Sequence, residues 1–150
     1  MSKTVKPYEA EADNKKSQVS RMFNNIAPYY DLLNRLLSLG IDKSWRRKAI
    51  AQIAPLKPKY ILDVATGTAD VAIATAKEIA PDKIIGIDIA NEMLEIGREK
   101  ITKHDLENTI ELQLGDSENI DFPDNTFDAI TVAFGAVSYT HLTLPTIYAV

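Results

Sequence analysis

Between residues 60 and 134 the chain alternates short apolar runs with amphipathic segments of helix length, and no other feature limits its fold so tightly. Tyr60–Ala65, Lys83–Asp88, Thr109–Leu114 and Phe127–Phe134 are predicted strands, and Ala69–Ile79 and Asn91–Lys103 are predicted helices. Runs rich in Ile, Leu and Val suit strands buried on both faces of a parallel sheet. A β-α-β-α-β order predicts an α/β fold with a doubly wound, mostly parallel, Rossmann-like sheet of about four strands.

Residues 15–57 predict a helical subdomain ahead of that sheet. Val19, Met22, Phe23 and Ile26 share one helical face, which Pro28 is expected to interrupt. Leu32, Leu33, Leu36 and Leu37 form the apolar stripe of a second helix, Tyr29–Leu39, stopped by Gly40. Asp42 is placed to cap a third, Lys43–Ala54, which carries Trp45, Ala49 and Ile53 and ends before Pro55 and Pro58. Residues 1–14 are polar and aperiodic and are expected to be disordered. At 150 residues and 45% hydrophobic content the chain suits one packed domain. The formal charge of −4 argues against sequence-blind nucleic-acid binding. The absence of cysteine excludes disulfides and thiolate chemistry, and no metal-ligating cluster stands out. With neither a secretory leader nor an apolar run of the ~20 residues that cross a bilayer, a cytoplasmic location is expected.

The strand ends carry the chemistry. Gly67 follows the first strand and precedes a helix, where a bare backbone turns sharply and approaches a ligand closely. The helix behind it presents unpaired N–H groups suited to a carboxylate, and Thr68 adds a hydroxyl. Asp63, near the end of the first strand, is within reach of a cationic amino group. Asp88 ends the second strand 21 residues after Gly67, where a carboxylate can accept from vicinal ribose hydroxyls; the competing reading is a cap for the following helix. Asp116 follows the third strand and can accept from an adenine amino group. A dinucleotide fingerprint wants G-x-G-x-x-G, whereas Ala65-Thr-Gly67-Thr-Ala-Asp70 holds one glycine and an acid. S-adenosylmethionine has no phosphates and carries a sulfonium cation, so a carboxylate-lined pocket favours it.

These residues resemble a known family. Ile61-Leu-Asp-Val-Ala-Thr-Gly-Thr-Ala-Asp70 is similar to the first motif of class I methyltransferases. Tyr30-Asp-Leu-Leu-Asn34, Ser38-Leu-Gly40 and Trp45-Arg46 resemble the amino-terminal signature of the ubiquinone/menaquinone C-methyltransferases. Asp116-Ser-Glu-Asn119, Phe122-Pro-Asp-Asn-Thr-Phe-Asp128 and Ala133-Phe-Gly135 fit the same family. The likeness covers about residues 15–135. It implies the amino-terminal part of an S-adenosyl-L-methionine-binding domain over residues 58–135, with cofactor contacts on Thr68, Asp88, Asp116, Ser117 and the backbone of Ala133. It implies methylation of an isoprenoid quinol ring, with demethylmenaquinol favoured, and brief contact with a membrane surface, although no amphipathic anchor is visible. Tyr30 and Asp31 are candidates to position the ring or a water. A methyltransferase for another small molecule, a non-catalytic cofactor-binding fragment and a nicotinamide domain are the competing readings.

After Gly135 the resemblance lapses. The family pattern calls for an arginine there and about a hundred further residues. Ala136–Val150 instead resembles translated adapter sequence and is expected to be non-native, although its Thr, Leu, Ile and Tyr also suit a strand. The missing arginine implies an inactive chain, and the fourth strand is expected to be an exposed, aggregation-prone edge.

Overall fold

The computed structural model describes the backbone of residues 9–132 and the side chains of residues 15–132. Ala133 and the tail after Gly135 lie outside the described residues, as do positions 1–8. The order of elements is α1 (Glu9–Leu37), α2 (Ile41–Ile53), a 3-10 turn (Ala54–Leu56), β1 (Tyr60–Val64), α3 (Asp70–Ile79), β2 (Lys83–Asp88), α4 (Asn91–Lys103), β3 (Ile110–Leu114) and β4 (Ala129–Val132). The strands form one parallel sheet in the order β3-β2-β1-β4.

Register fixes which residues share a face. Ile61 pairs with Ile84 and Ala129, and Ile84 with Ile110. This face carries α3 and α4, which bury Ala72, Ile73, Ala76, Leu94 and Ile101 against it. The packing is close at Gly97, where a Cβ would stand 2.7 Å from Leu112 and 3.3 Å from the Thr68 backbone. The opposite face holds Leu62, Val64 and Ile87, covered by Phe127 and flanked by Ile120 and Phe122, with Ile85, Ile130 and Val132 only partly buried. Asp128 pins the start of β1, its carboxylate accepting from the N–H groups of Lys59 and Tyr60 at 2.8 and 2.9 Å.

The amino-terminal half departs from expectation in four ways. First, α1 starts at Glu9, within the stretch expected to be disordered; Glu9, Glu11 and Asp13 favour a helix amino-terminus. Second, α1 runs unbroken through Pro28. A proline inside a helix costs about 3 kcal/mol, and here tertiary contacts flank it: Ala27 is buried before it and Asp31 is hydrogen-bonded after it. Third, Asp42 sits inside the first turn of α2, behind Gly40 at the cap; it accepts from Ser38 and Arg46 instead. Fourth, Leu32, Leu33, Leu36 and Leu37 are exposed.

Candidate functional site

α1 crosses the carboxyl edge of the sheet. Ser20 Oγ donates to the Ile89 carbonyl at 3.0 Å, and Asn24 Oδ1 accepts from the Glu92 N–H at 3.0 Å, capping α4 from outside because Ala90 has no side-chain oxygen to do so. Ala27 packs with Ala90 and Met93, flanked by Phe23 and Tyr30, whose rings meet edge to face. This puts Tyr30 and Asp31 beside the turn after β1.

That turn is tightly wound. Ala65, Gly67 and Ala69 all have positive φ, of 55, 57 and 66°. Only the glycine takes this conformation without strain, which costs the alanines about 1–2 kcal/mol each. Met93 and Tyr30 lie above Gly67, at 3.4 and 3.9 Å from where a Cβ would stand, so it is the positive φ rather than crowding that calls for glycine here.

The acids end in three different environments. Asp63 is 1% exposed and accepts from the Thr66 and Thr131 hydroxyls at 2.6 and 2.5 Å. Burial pushes its carboxyl up to about 6 against those two hydrogen bonds, with the Asp88 charge adding to the rise. Asp88 accepts from the N–H groups of Gly67 and Ala90, each at 2.9 Å, so it ties the turn after β1 to the residue that precedes α4. Burial raises its carboxyl above the ordinary range despite these bonds. Each of its oxygens keeps lone-pair capacity for a further donor. Asp116 accepts from Lys16 at 2.8 Å and from the Glu118 N–H at 2.9 Å. Burial opposes its ionisation, but the Lys16 hydrogen bond, the Glu118 N–H and the Lys16 charge together leave the carboxyl below the ordinary range. Ser117 is buried, and its hydroxyl has no hydrogen-bond partner among the described residues.

No sequence signal marks Lys100. From α4 its Nζ donates to Asp31 Oδ2 and Asp70 Oδ1, each at 2.6 Å, and to Thr68 Oγ1 at 3.0 Å. The Thr68 hydroxyl itself donates to Asp31 at 2.6 Å, so it is already engaged within the protein. Arg46 bridges Asp42 at 2.8 Å and stands 3.6 Å from Asp70. The candidate residues therefore fall into two groups. Asp63, Gly67 and Asp88 ring the strand ends, while Asp31 and Thr68 belong to an ionic knot beside them. Asp116 and Ser117 follow β3, under the start of α1.

The acids, the unpartnered Ser117 hydroxyl and the Gly67 turn suit a cationic ligand with hydroxyls and an adenine ring. Among the described residues, Tyr30, Asp63, Thr66, Gly67 and Asp70 border a small cavity of about 40 Å³ at the amino-acid end of the site. No group of three His, Asp or Glu suited to a metal occurs among the described residues.

A parallel sheet with acids and a glycine turn at its carboxyl edge defines the Rossmann-like methyltransferase fold. A protein of Methanococcus maripaludis assigned to the S-adenosyl-L-methionine-dependent methyltransferases superposes with a TM-score of 0.60 at 20% identity, over 93% of this chain and 56% of that one. The chain belongs to the ubiE/COQ5 methyltransferase family, whose model matches residues 11–150. It is 52% identical over 139 residues to a demethylmenaquinone methyltransferase of Bacteroides fragilis, covering 92% of this chain and 56% of that one. It is 47% identical over 122 residues to the ubiquinone/menaquinone biosynthesis C-methyltransferase UbiE of Geotalea uraniireducens, covering 81% and 52%. The chain thus spans about half the length of these curated relatives.

Proposed function

We propose that this chain carries the cofactor-binding half of an enzyme that methylates a ring carbon of demethylmenaquinol, using S-adenosyl-L-methionine. The observation that carries the reading is Asp88: a carboxylate at the end of β2, oriented by the Gly67 and Ala90 N–H groups, with acceptor capacity left over. When bound, the cofactor supplies an electrophilic methyl group on a sulfonium. Asp88 would take the ribose hydroxyls, and Asp116 and Ser117 the adenine. Asp63, Gly67 and Thr68 would line the amino-acid end, with Ala133 offering its backbone. Asp63 gains from a cation nearby, which offsets the burial that raises its carboxyl.

On the substrate side, Tyr30 would hold the quinol ring over Gly67 in a near-attack geometry. Asp31, already accepting from Thr68 and Lys100, would act as a positioning residue that fixes α1 over the ring. The reaction would take place in the cytoplasm, at the inner face of the membrane that holds the isoprenoid tail.

Calorimetry with S-adenosylhomocysteine tests the pocket. The chain is expected to bind it, and Asp88→Ala to weaken binding at least about tenfold, as expected for losing hydrogen bonds to a charged group. A folded chain that does not bind S-adenosylhomocysteine refutes the cofactor assignment. Labelled methyl transfer to demethylmenaquinol tests the rest. The 150-residue chain is expected to bind without turnover, and product formed by it would refute its inactivity.

A further inference from the structure

We propose that the corner where α1 meets α2 is a docking surface for an anionic lipid bilayer. An amphipathic helix normally turns its apolar stripe inward. The carboxyl half of α1 does the reverse. Tyr29, Leu32, Leu36 and Leu37 recur at helical spacing and are all exposed, Leu37 at 80%. Leu39 and Ile41 extend the stripe through the connection, and Trp45, 57% exposed, continues it on α2.

Charge selects the occupant. The whole chain has an acidic excess, 21 acidic against 17 basic residues. Residues 35–48 invert it, with five basic side chains against one acidic. The acid, Asp42, is buried and neutralised by Arg46 at 2.8 Å, while Arg35, Lys43, Arg47 and Lys48 are exposed. A groove of about 650 Å³ between α2 and α3 adjoins the corner, lined by Lys43, Arg46, Arg47 and Lys77 together with Asp70 and Glu78. Leucines and one tryptophan flanked by lysine and arginine suit the boundary between acyl chains and anionic headgroups. The position of the corner fits the same occupant. α1 and α2 pack on α4 and α3, the helices of the covered sheet face. The partly covered core residues Ile85, Ile130 and Val132 lie on the other face.

Trp45 is the single tryptophan of the chain and reports the contact directly. The 150-residue protein is titrated with phosphatidylglycerol-containing vesicles and with pure phosphatidylcholine vesicles. With the anionic vesicles its emission is expected to move to shorter wavelength and to be quenched by brominated acyl chains, and added salt should reverse this. Charge reversal by K43E and R47E is expected to lower partitioning roughly 30-fold or more, from the ~1 kcal/mol that each basic residue contributes near such a surface. L36S, L37S and L39S together should abolish the quenching. Far-UV circular dichroism checks that the variants remain folded, and the salt series on the unaltered chain needs no variant.

Emission unmoved by anionic vesicles in a folded chain overturns the proposal. So does quenching that the charge reversals leave intact, or a shift that grows with protein concentration without lipid, which would make a second copy the occupant. S-adenosylhomocysteine titration of the same sample reports the cofactor pocket separately, so failure of either reading leaves the other standing.

Discussion

The strand-end pocket and the α1–α2 corner are built from the same apolar residue types and treat them in opposite ways. Leu62 and Ile84 are fully buried in the sheet, whereas Leu36 and Leu37 face solvent at helical spacing that would serve a core equally well. The difference lies in the partners. β1 is flanked by β2 and β4 and packed on both faces. The carboxyl half of α1 has Asp31 bound on one side and nothing among the described residues on the other. Spacing specifies an amphipathic helix, but the surface that receives its apolar face is a separate fact.

The sharpest contrast is truncation of a leucine in each region. Leu62→Ala is expected to destabilise the chain by about 2–5 kcal/mol, read from chemical denaturation. Measured stability within error of the unaltered chain would break the contrast.

Asp63 offers the next largest effect. Its carboxyl is raised by burial to about 6 in the fold, from 3.8 ordinarily, so between these values the native state holds a proton that the unfolded state has lost. The contribution of Asp63 to stability is therefore largest below about pH 4, falls as pH rises through about 6 and is level above that. The total is about 3 kcal/mol, at 1.36 kcal/mol per pKa unit. Asp63→Asn should remove this slope. Asp116, whose carboxyl is lowered, pulls the other way at acid pH; the measurement is thus the difference between the two proteins in denaturant midpoints from pH 3.5 to 7.5.

Lys100→Met is expected to cost roughly 1–2 kcal/mol, less than a fully buried pair because these groups are partly exposed. It leaves Asp31 and Asp70 facing each other without their shared cation, and faster proteolysis within α1 would register its loosening. Smallest of all, Leu36→Ala should change stability by less than about 0.5 kcal/mol; a larger loss would show that the corner is packed.

The sheet was legible because its strands are local apolar runs with acids or glycine at their ends, and every crossover is of helix length. β1 and β3 are each one residue shorter than expected, and β4 starts two residues late, since Phe127 turns into the core against Phe122 and Asp128 is drawn to the start of β1. Asp63, Gly67 and Asp88 were legible as a set because parallel strands deliver their last residues to one edge. Helix boundaries in the first half were not. Pro28 signals a break, and only the tertiary contacts of Ala27 and Asp31 override it. Asp42 has the composition of a cap but is used in an i,i+4 pair with Arg46. Lys100 could not be found at all, because nothing in a run of charges on an amphipathic helix marks which lysine reaches residues 30 to 69 positions away.

That lysine ties together α1, the turn after β1, the start of α3 and the last turns of α4. Its three acceptors share one cation, so none of them can change alone without leaving a neighbour mismatched. Across diverging relatives, positions 31, 68, 70 and 100 should therefore drift as a quartet, exchanging charge in concert while the leucines of the outer stripe interchange freely with other greasy residues.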